Sequence, residues 1–168
     1  MARLMGIDPG LRFTGWGVID VHGNRLRHVA DGVIATDNTH AVPARLKFIH
    51  DALTALFALH QPDEAAVEET YVNKSGTATL KLGYARGVAL LAPALAGITV
   101  AEYGAMRVKQ SVVGTGAASK DQVEAMVRRL LPGATLRRAD AADALAVAIC
   151  HAHYRATAVR VAAGTVTA

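Results

Sequence analysis

The chain has 168 residues, of which 52% are hydrophobic and 19% are charged. This length suits one globular domain, and the apolar fraction is large enough for a sizeable core, which excludes disorder as the main state. The formal net charge of +4 fits either a polyanionic partner such as nucleic acid or a merely solvated basic surface.

The first third of the chain predicts three strands joined by tight turns. Pro9 and Gly10 mark the first turn, and the His22-Gly23-Asn24 sequence marks a hairpin. The strands are predicted at 3–8, 13–20 and 26–35.

The following segments alternate between helical and strand patterns. Apolar residues spaced three or four apart from Val42 to Phe57 predict a helix that ends before Pro62. Ser119 and Gln122 have the form of a capping box at the start of another helix. Further helices are predicted at 77–96, 119–131 and 139–154, and short strands at 65–67 and 98–101. Strands first and then alternating helices and strands favour an α/β fold with a mixed central sheet flanked by helices.

The ends of the chain and its single cysteine bear on domains and location. Asp8 interrupts the N-terminal segment before an apolar stretch develops, so we expect no signal peptide. The longest uncharged run is too short for a membrane span, and Cys150 alone cannot form an internal disulfide. No core pattern continues beyond Arg155. We therefore expect a cytoplasmic protein without membrane association, with one domain at 1–155 and a tail at 156–168 whose order the sequence leaves open.

Four carboxylates stand out by their position in these elements. Asp8 and Glu68 each end a short apolar strand, where an α/β sheet usually presents its site. Asp140 and Asp143 lie three apart at the start of an Ala-rich helix and share one face. Each acid also has a structural interpretation: a turn former, the solvated end of a strand, a helix cap or a partner of the helix dipole.

Taken together, the four acids point to a metal-dependent nuclease. Carboxylate oxygens without nearby Cys or His pairs favour a hard cation such as Mg²⁺ or Mn²⁺, which would also neutralise their mutual repulsion. A basic surface beside such a site suits a nucleic-acid backbone. His151 and His153, two residues apart, fall on different helix faces and are not predicted to bind zinc. Cys150 is interpreted as a small core residue.

At the level of motifs, the chain resembles the RuvC family of Holliday junction resolvases. The resemblance rests on segments spread over about residues 4 to 153 and found in the family's order. They are GIDPG at 6–10, TGWGV at 14–18, VE at 67–68, LKLGYARGV at 80–88, VKQSVVG at 108–114 and ADAADALA at 139–146.

The resemblance implies a ribonuclease H-like fold and an enzyme that cuts four-way DNA junctions by paired symmetric nicks in recombination and repair. It implies two divalent ions per site, Mg²⁺ with Mn²⁺ as a substitute, held by Asp8, Glu68, Asp140 and Asp143. Lys109 and Lys120 match the family's basic residues near the scissile phosphate, where an ammonium stabilises charge on the transferring group. For both lysines, surface solvation is the alternative.

The resemblance also implies partners. A homodimer is expected, paired through the helix that carries Gly83 and Gly87, although the same glycines would also suit an internal helix–sheet contact. A branch-migration complex of the RuvA and RuvB type is expected to load the enzyme. Tyr71 stands where many family members have Phe, and its ring could stack on a base at the crossover or be a rim aromatic. The predicted DNA contacts are Tyr71, Asn73, Lys74, Ser75, Lys81 and Arg86.

Three other functions compete with this interpretation. GIDPG followed by Thr14-Gly15 also resembles the first phosphate loop of actin-like ATPases and sugar kinases, but those need a second lobe that 168 residues do not provide. A junction-binding protein without cleavage would use the acids only structurally. A ribonuclease H-like nuclease for RNA-containing or other branched substrates would keep the acids and lose the preference for junctions.

Overall fold

The structure is a computed structural model that describes residues 1–69 and 76–165, with side chains described through Thr157. Within this part of the chain, five strands form one mixed sheet in the order β3-β2-β1-β4-β5. The strands β1, β2 and β3 pair antiparallel, whereas β4 runs parallel to both β1 and β5. The strands are β1 (Ala2–Asp8), β2 (Phe13–His22), β3 (Arg25–Ala35), β4 (Glu64–Glu69) and β5 (Thr99–Gly104).

Helices cover both faces of this sheet because the side chains of a strand alternate between its two faces. Leu4 belongs to the core beneath α3, α4 and α5, whereas its neighbour Met5 belongs to the core beneath α1 and α2. Both side chains are fully buried. The helices are α1 (Val42–His60), α2 (Gly76–Leu95), α3 (Ala105–Val113), α4 (Lys120–Leu130) and α5 (Ala139–Thr165). This arrangement confirms the predicted mixed sheet flanked by helices.

The first turns of α5 lie directly on β1 and β2 because glycines face them. A Cβ at Gly15 would lie 1.9 Å from the carbonyl oxygen of Asp140, and one at Gly6 would lie 2.0 Å from that of Ala144. No side chain larger than hydrogen fits at either position without moving the helix. The helix that carries Asp140 is therefore held at the closest backbone distance to the strand that ends at Asp8.

The buried side chain of Arg45 fixes the turn that follows β1. The guanidinium of Arg45 on α1 donates to Thr36 Oγ1 at 2.9 Å and to the carbonyl oxygen of Leu11 at 3.3 Å, and Arg45 is only 9% exposed. Thr36 Oγ1 donates in turn to that same carbonyl at 2.6 Å. These bonds join α1 and the end of β3 to the turn that follows Asp8.

Most predicted elements are present, with two differences. The structure contains α3, which the sequence interpretation did not predict as a helix; Val108 and Val112, four residues apart, are its buried positions. The last helix continues to Thr165 and not to Tyr154, because the Ala-rich segment after Arg155 has high helix propensity and no breaker before Gly164. Among the described residues, no helix is long and apolar enough to span a membrane.

Candidate active site

The register of the central strands brings two of the predicted acids to neighbouring positions. Ile7 of β1 and Val67 of β4 are partners in the parallel pairing. Asp8 and Glu68 follow directly, as the last residue of β1 and the last but one of β4, at the edge where an α/β sheet usually presents its site. Two carboxylates thus stand side by side on adjacent strands.

A third acid and two lysines reach the same place from the helices. Asp143 of α5, Lys109 of α3 and Lys120 of α4 line one cavity of about 220 Å³ together with Asp8 and Glu68. Asp140, one helical turn before Asp143, is not among the residues that line this cavity. The structure therefore brings five of the six predicted catalytic residues together, with Asp140 next to them.

Burial and neighbouring acids raise the pKa of Asp8 and of Glu68. Burial raises the pKa of Asp8 to about 8, and the charges of Glu68, Asp143 and Asp140 add to the effect, which Lys120 partly offsets. Burial is also the main cause of the raised pKa of Glu68, and the charge of Asp143 adds to it. A hydrogen bond with Asp8 and the charges of Lys120 and Lys109 act to lower this pKa. Such a cluster favours either a bound proton or a bound cation.

Lys120 is positioned by the cap of its own helix. The side chain of Ser119 accepts a hydrogen bond from the backbone of Gln122, and the side chain of Gln122 accepts one from the backbone of Ser119, which confirms the predicted capping box. The ammonium group of Lys120 then lies 3.0 Å from Asp143 Oδ2. This hydrogen bond is the main reason that the pKa of Lys120 is raised.

A second cation engages Asp140. Nε of Arg138 lies 3.4 Å from Asp140 Oδ2, and the same guanidinium stacks 3.9 Å above the ring centroid of Phe13. Sequence reasoning did not single out this contact. Its signal was the placement of an aromatic residue at the start of β2 and an arginine two positions before an acid, and only the fold shows that these residues meet.

The chemistry of the donor set fits a hard divalent cation, since carboxylate oxygens from three elements meet in one cavity. Within residues 1–69 and 76–165, however, no three Asp, Glu, His or Cys side chains lie close enough to hold a metal ion in the conformation described. Both acids of α5 instead contact cations, Asp143 through Lys120 and Asp140 through Arg138. In this conformation both acids of α5 are therefore paired with cations of the chain itself.

The predicted DNA contacts are only partly described. Tyr71, Asn73, Lys74 and Ser75 lie outside the described residues. Lys81 is exposed on α2. The guanidinium of Arg86 is paired with Glu102 of β5, and its Nε is buried with no hydrogen-bond partner within the described chain.

His151 and Cys150 of α5 lie in the protein interior. Nδ1 of His151 lies 2.8 Å from the hydroxyl of Tyr103, and its Nε2 lies 3.0 Å from Glu64 Oε2. Burial lowers the pKa of His151. Cys150 is fully buried, and burial raises the pKa of its thiol to about 11, so it is a poor nucleophile. These contacts agree with the interpretation of the histidine as structural and of Cys150 as a core residue.

The outer face of α2 is open and apolar. A Cβ at Gly83 or Gly87 would meet no atom within 4 Å among the described residues, so neither glycine makes a close internal contact there. The large apolar side chains exposed on this helix are Leu80, Tyr84, Leu91 and Leu95. An exposed apolar strip of this kind is typical of an interaction surface.

Comparisons with known proteins point to one family. The family model described as crossover junction endodeoxyribonuclease RuvC matches residues 4–151. A protein of that name from Gluconacetobacter diazotrophicus is 76% identical over 98% of both chains, and one from Granulibacter bethesdensis is 74% identical over 99% of this chain and 93% of its own.

Solved structures agree with the family model. The structure of RuvC from T. thermophilus in complex with a Holliday junction substrate matches with a TM-score of 0.88 at 34% identity, over 94% of this chain and 97% of that one. A second structure of the Thermus thermophilus protein matches with a TM-score of 0.83 at 35% identity, over 93% of this chain and 96% of that one. The expected ribonuclease H-like fold is thereby confirmed.

Proposed function

Because the chain belongs to the RuvC family of crossover junction endodeoxyribonucleases, we propose that it resolves four-way DNA junctions by paired symmetric nicks. The observation that carries the proposal is the meeting of Asp8, Glu68 and Asp143 from three elements in one cavity, beside Lys109 and Lys120. Acids surrounded by cations suit hydrolysis of a phosphodiester, in which negative charge develops on the transferring group. The process served is homologous recombination and DNA repair.

The proposed roles come from the family resemblance, and the meeting of five of these residues in one cavity supports them. Asp8, Glu68, Asp140 and Asp143 hold divalent cations, Mg²⁺ with Mn²⁺ as a substitute and two per site. Bound there, the cations would supply an activated water and stabilise the leaving oxygen. Lys109 and Lys120 extend ammonium groups toward the phosphate that is cut. For Lys120 this role requires release from Asp143, its partner at 3.0 Å.

DNA contacts are proposed at the six residues for which the family resemblance implies them. Tyr71 stacks on a base at the crossover, while Asn73, Lys74 and Ser75 contact the backbone beside it. Lys81, exposed on α2, adds a backbone contact. Arg86 reaches DNA only by giving up Glu102, so its contribution is the smallest expected in this set.

A homodimer is proposed through the face of α2 around Gly83 and Gly87. A two-fold dimer presents two equivalent sites to the two equivalent strands of a junction. Gly83→Leu places a bulky side chain on this face, at a position where a Cβ meets no atom within 4 Å in the described chain. We expect the variant to fold normally and to sediment as a weakened dimer. An unchanged dimer at micromolar concentration would contradict the use of this face; Lys47→Leu on the exposed side of α1 is the control.

The cellular setting is part of the proposal. The enzyme acts in the cytoplasm on junctions delivered by a branch-migration complex of the RuvA and RuvB type. Co-purification of the proteins of this complex with the enzyme bound to a junction would support the partnership, provided that they do not co-purify with the enzyme on linear duplex.

The first experiment is cleavage of a synthetic mobile four-way junction, with and without Mg²⁺, beside linear duplex and an RNA–DNA hybrid. We expect metal-dependent, symmetric paired nicks in the junction alone. Cleavage of the hybrid in preference to the junction would support a different ribonuclease H-like activity. Tight junction binding without cleavage in either Mg²⁺ or Mn²⁺ would support a binding module whose acids are structural.

A further inference from the structure

Arg138 pairs with a predicted metal ligand, and neither residue lines the shared cavity. Its guanidinium is supported by the ring of Phe13 at 3.9 Å and lies 3.4 Å from Asp140 through Nε. A stacked guanidinium loses less conformational freedom when it pairs with a carboxylate than a free one does, because the ring already restricts its position. The contact joins the start of β2 to the first turn of α5.

The same carboxylate is close to the acids of the cavity. The charge of Asp140 contributes to the raised pKa of Asp8, yet Asp140 does not line the cavity that Asp8, Glu68 and Asp143 share. Its backbone packs closely against β2, since a Cβ at Gly15 would lie 1.9 Å from its carbonyl oxygen. A change in the side-chain torsion of Asp140 is therefore the movement available to bring its oxygens toward the other acids.

There is open space beside the guanidinium of Arg138 for the state in which Asp140 no longer pairs with it. A cavity of about 390 Å³ lies beside Arg138, and its lining includes Asp31, Gly32, Thr135 and Arg137. Arg138 itself lines this cavity, so its guanidinium has open space beside it. Release of Asp140 thus does not require Arg138 to become buried.

We propose that Arg138 is a positioning residue that competes with a divalent cation for the carboxylate of Asp140. This inference rests on the proposed metal site and adds a residue outside it. In the absence of cation, the arginine keeps Asp140 paired; when a cation occupies the cavity, Asp140 turns to it and Arg138 turns to the neighbouring cavity. The arginine consequently weakens metal binding in the free protein.

The test measures Mn²⁺ binding to the DNA-free protein, by the loss of the electron paramagnetic resonance signal of free Mn²⁺. The control for Arg138→Gln is Arg137→Gln, which removes the same charge from the adjacent residue. Arg137 is exposed and has no ion pair within the described part of the chain. We expect Arg138→Gln to bind Mn²⁺ about two- to fivefold more tightly than Arg137→Gln, the size of an exposed ion pair.

A double-variant cycle isolates the contact. In an Asp140→Asn background, Arg138→Gln and Arg137→Gln should bind Mn²⁺ equally, since the carboxylate for which the arginine competes is gone. Equal binding by the two single variants, or an advantage of Arg138→Gln that persists in the Asp140→Asn background, would overturn the inference.

The outcomes separate this inference from the function on which it rests. If the wild-type protein takes up no Mn²⁺ in its free or junction-bound form, the metal site and the inference both fall. If it binds Mn²⁺ with the expected differences among variants but does not cut the junction, the proposed nuclease function fails and the competition for Asp140 stands.

Discussion

Two acids of the same strand pair meet opposite surroundings at the two ends of the sheet. Asp20, at one end, is fully buried and directly opposite Arg3 in the pairing of β1 with β2; Nε of Arg3 lies 2.8 Å from its Oδ1, and Arg27 pairs with its other oxygen. The hydrogen bond from Arg3 is the main reason that the pKa of Asp20 is lowered. At the other end, the pKa of Asp8 is raised to about 8 by burial and by neighbouring acids.

The difference separates an acid whose charge is compensated within the chain from one whose charge is not. Asp20 finds its cations within the chain, so its charge is satisfied as soon as the protein folds. Asp8 has three acids near it, and the charge of Lys120 only partly offsets their effect on its pKa. A sheet end that leaves negative charge uncompensated keeps a place for a cation from outside, at a cost in stability.

The largest expected effect comes from Asp8→Asn. Loss of the charge should lower junction cleavage by about three orders of magnitude while junction binding persists, because the basic contacts remain. The same variant should raise the free energy of unfolding by about 1 kcal/mol, since it removes the cost of burying a carboxyl group beside other acids. Single-turnover cleavage, a gel-shift titration and urea unfolding test the three statements. Retained cleavage would remove Asp8 from the metal site.

A smaller loss is expected from Lys109→Ala. The variant should slow cleavage by about a hundredfold and weaken junction binding much less, because a positioned ammonium acts on charge that develops during the reaction. The comparison is between the single-turnover rate and the dissociation constant. An equal loss of cleavage rate and of binding affinity would indicate that Lys109 only contacts the DNA backbone. Lys81→Ala, exposed on α2, is the control that should alter binding and not the rate.

Gly15→Ala tests whether the close packing of α5 on β2 keeps Asp140 and Asp143 in position near Asp8. The new Cβ would lie 1.9 Å from the carbonyl oxygen of Asp140, so α5 must shift, at a cost of about 2–3 kcal/mol in unfolding free energy. Cleavage should fall about tenfold as Asp140 and Asp143 move with the helix. Gly83→Ala, which meets open space, should leave stability equal or higher by about 0.5–1 kcal/mol. Similar stabilities for the two variants would contradict the packing argument.

The smallest change in activity is expected at the opposite end. Asp20→Asn should cost about 1–2 kcal/mol of stability at pH 6 and leave cleavage unchanged. A carboxyl whose pKa is lowered by folding stabilises the protein above its unfolded pKa of about 3.9, and this contribution disappears as the pH falls through the folded value. The difference between wild type and variant in urea unfolding should therefore shrink from pH 6 to pH 3. A constant difference would indicate that the carboxylate charge is not responsible.

Much of the fold and the core of the site could be predicted from the sequence. Strand ends are marked by an acid after an apolar run, as at Asp8 and Glu68, and the parallel pairing of β1 with β4 then makes them neighbours. The capping box at Ser119 was predicted because its two hydrogen bonds are local, three residues apart in the chain. Patterns set by nearest neighbours are readable in this way.

What could not be predicted depends on contacts between distant segments. The pairing of Arg138 with Asp140 is local, but its support from Phe13 depends on the approach of α5 to β2. Arg45 was interpreted only as part of a helix, and its bonds to Thr36 and Leu11 join residues far apart in the chain. The dual role of Asp140, as a predicted ligand and as an arginine partner, likewise becomes visible only in three dimensions.

The burial of Cys150 makes this protein convenient for site-directed labelling. It is the one cysteine of the sequence, and its thiol is fully buried with a pKa of about 11, so maleimide or methanethiosulfonate reagents should leave it unmodified at neutral pH. A cysteine introduced at an exposed position of α2 could then carry a spin label in an otherwise native background. Dipolar spectroscopy would give the distance between two such helices, both free in solution and on a junction.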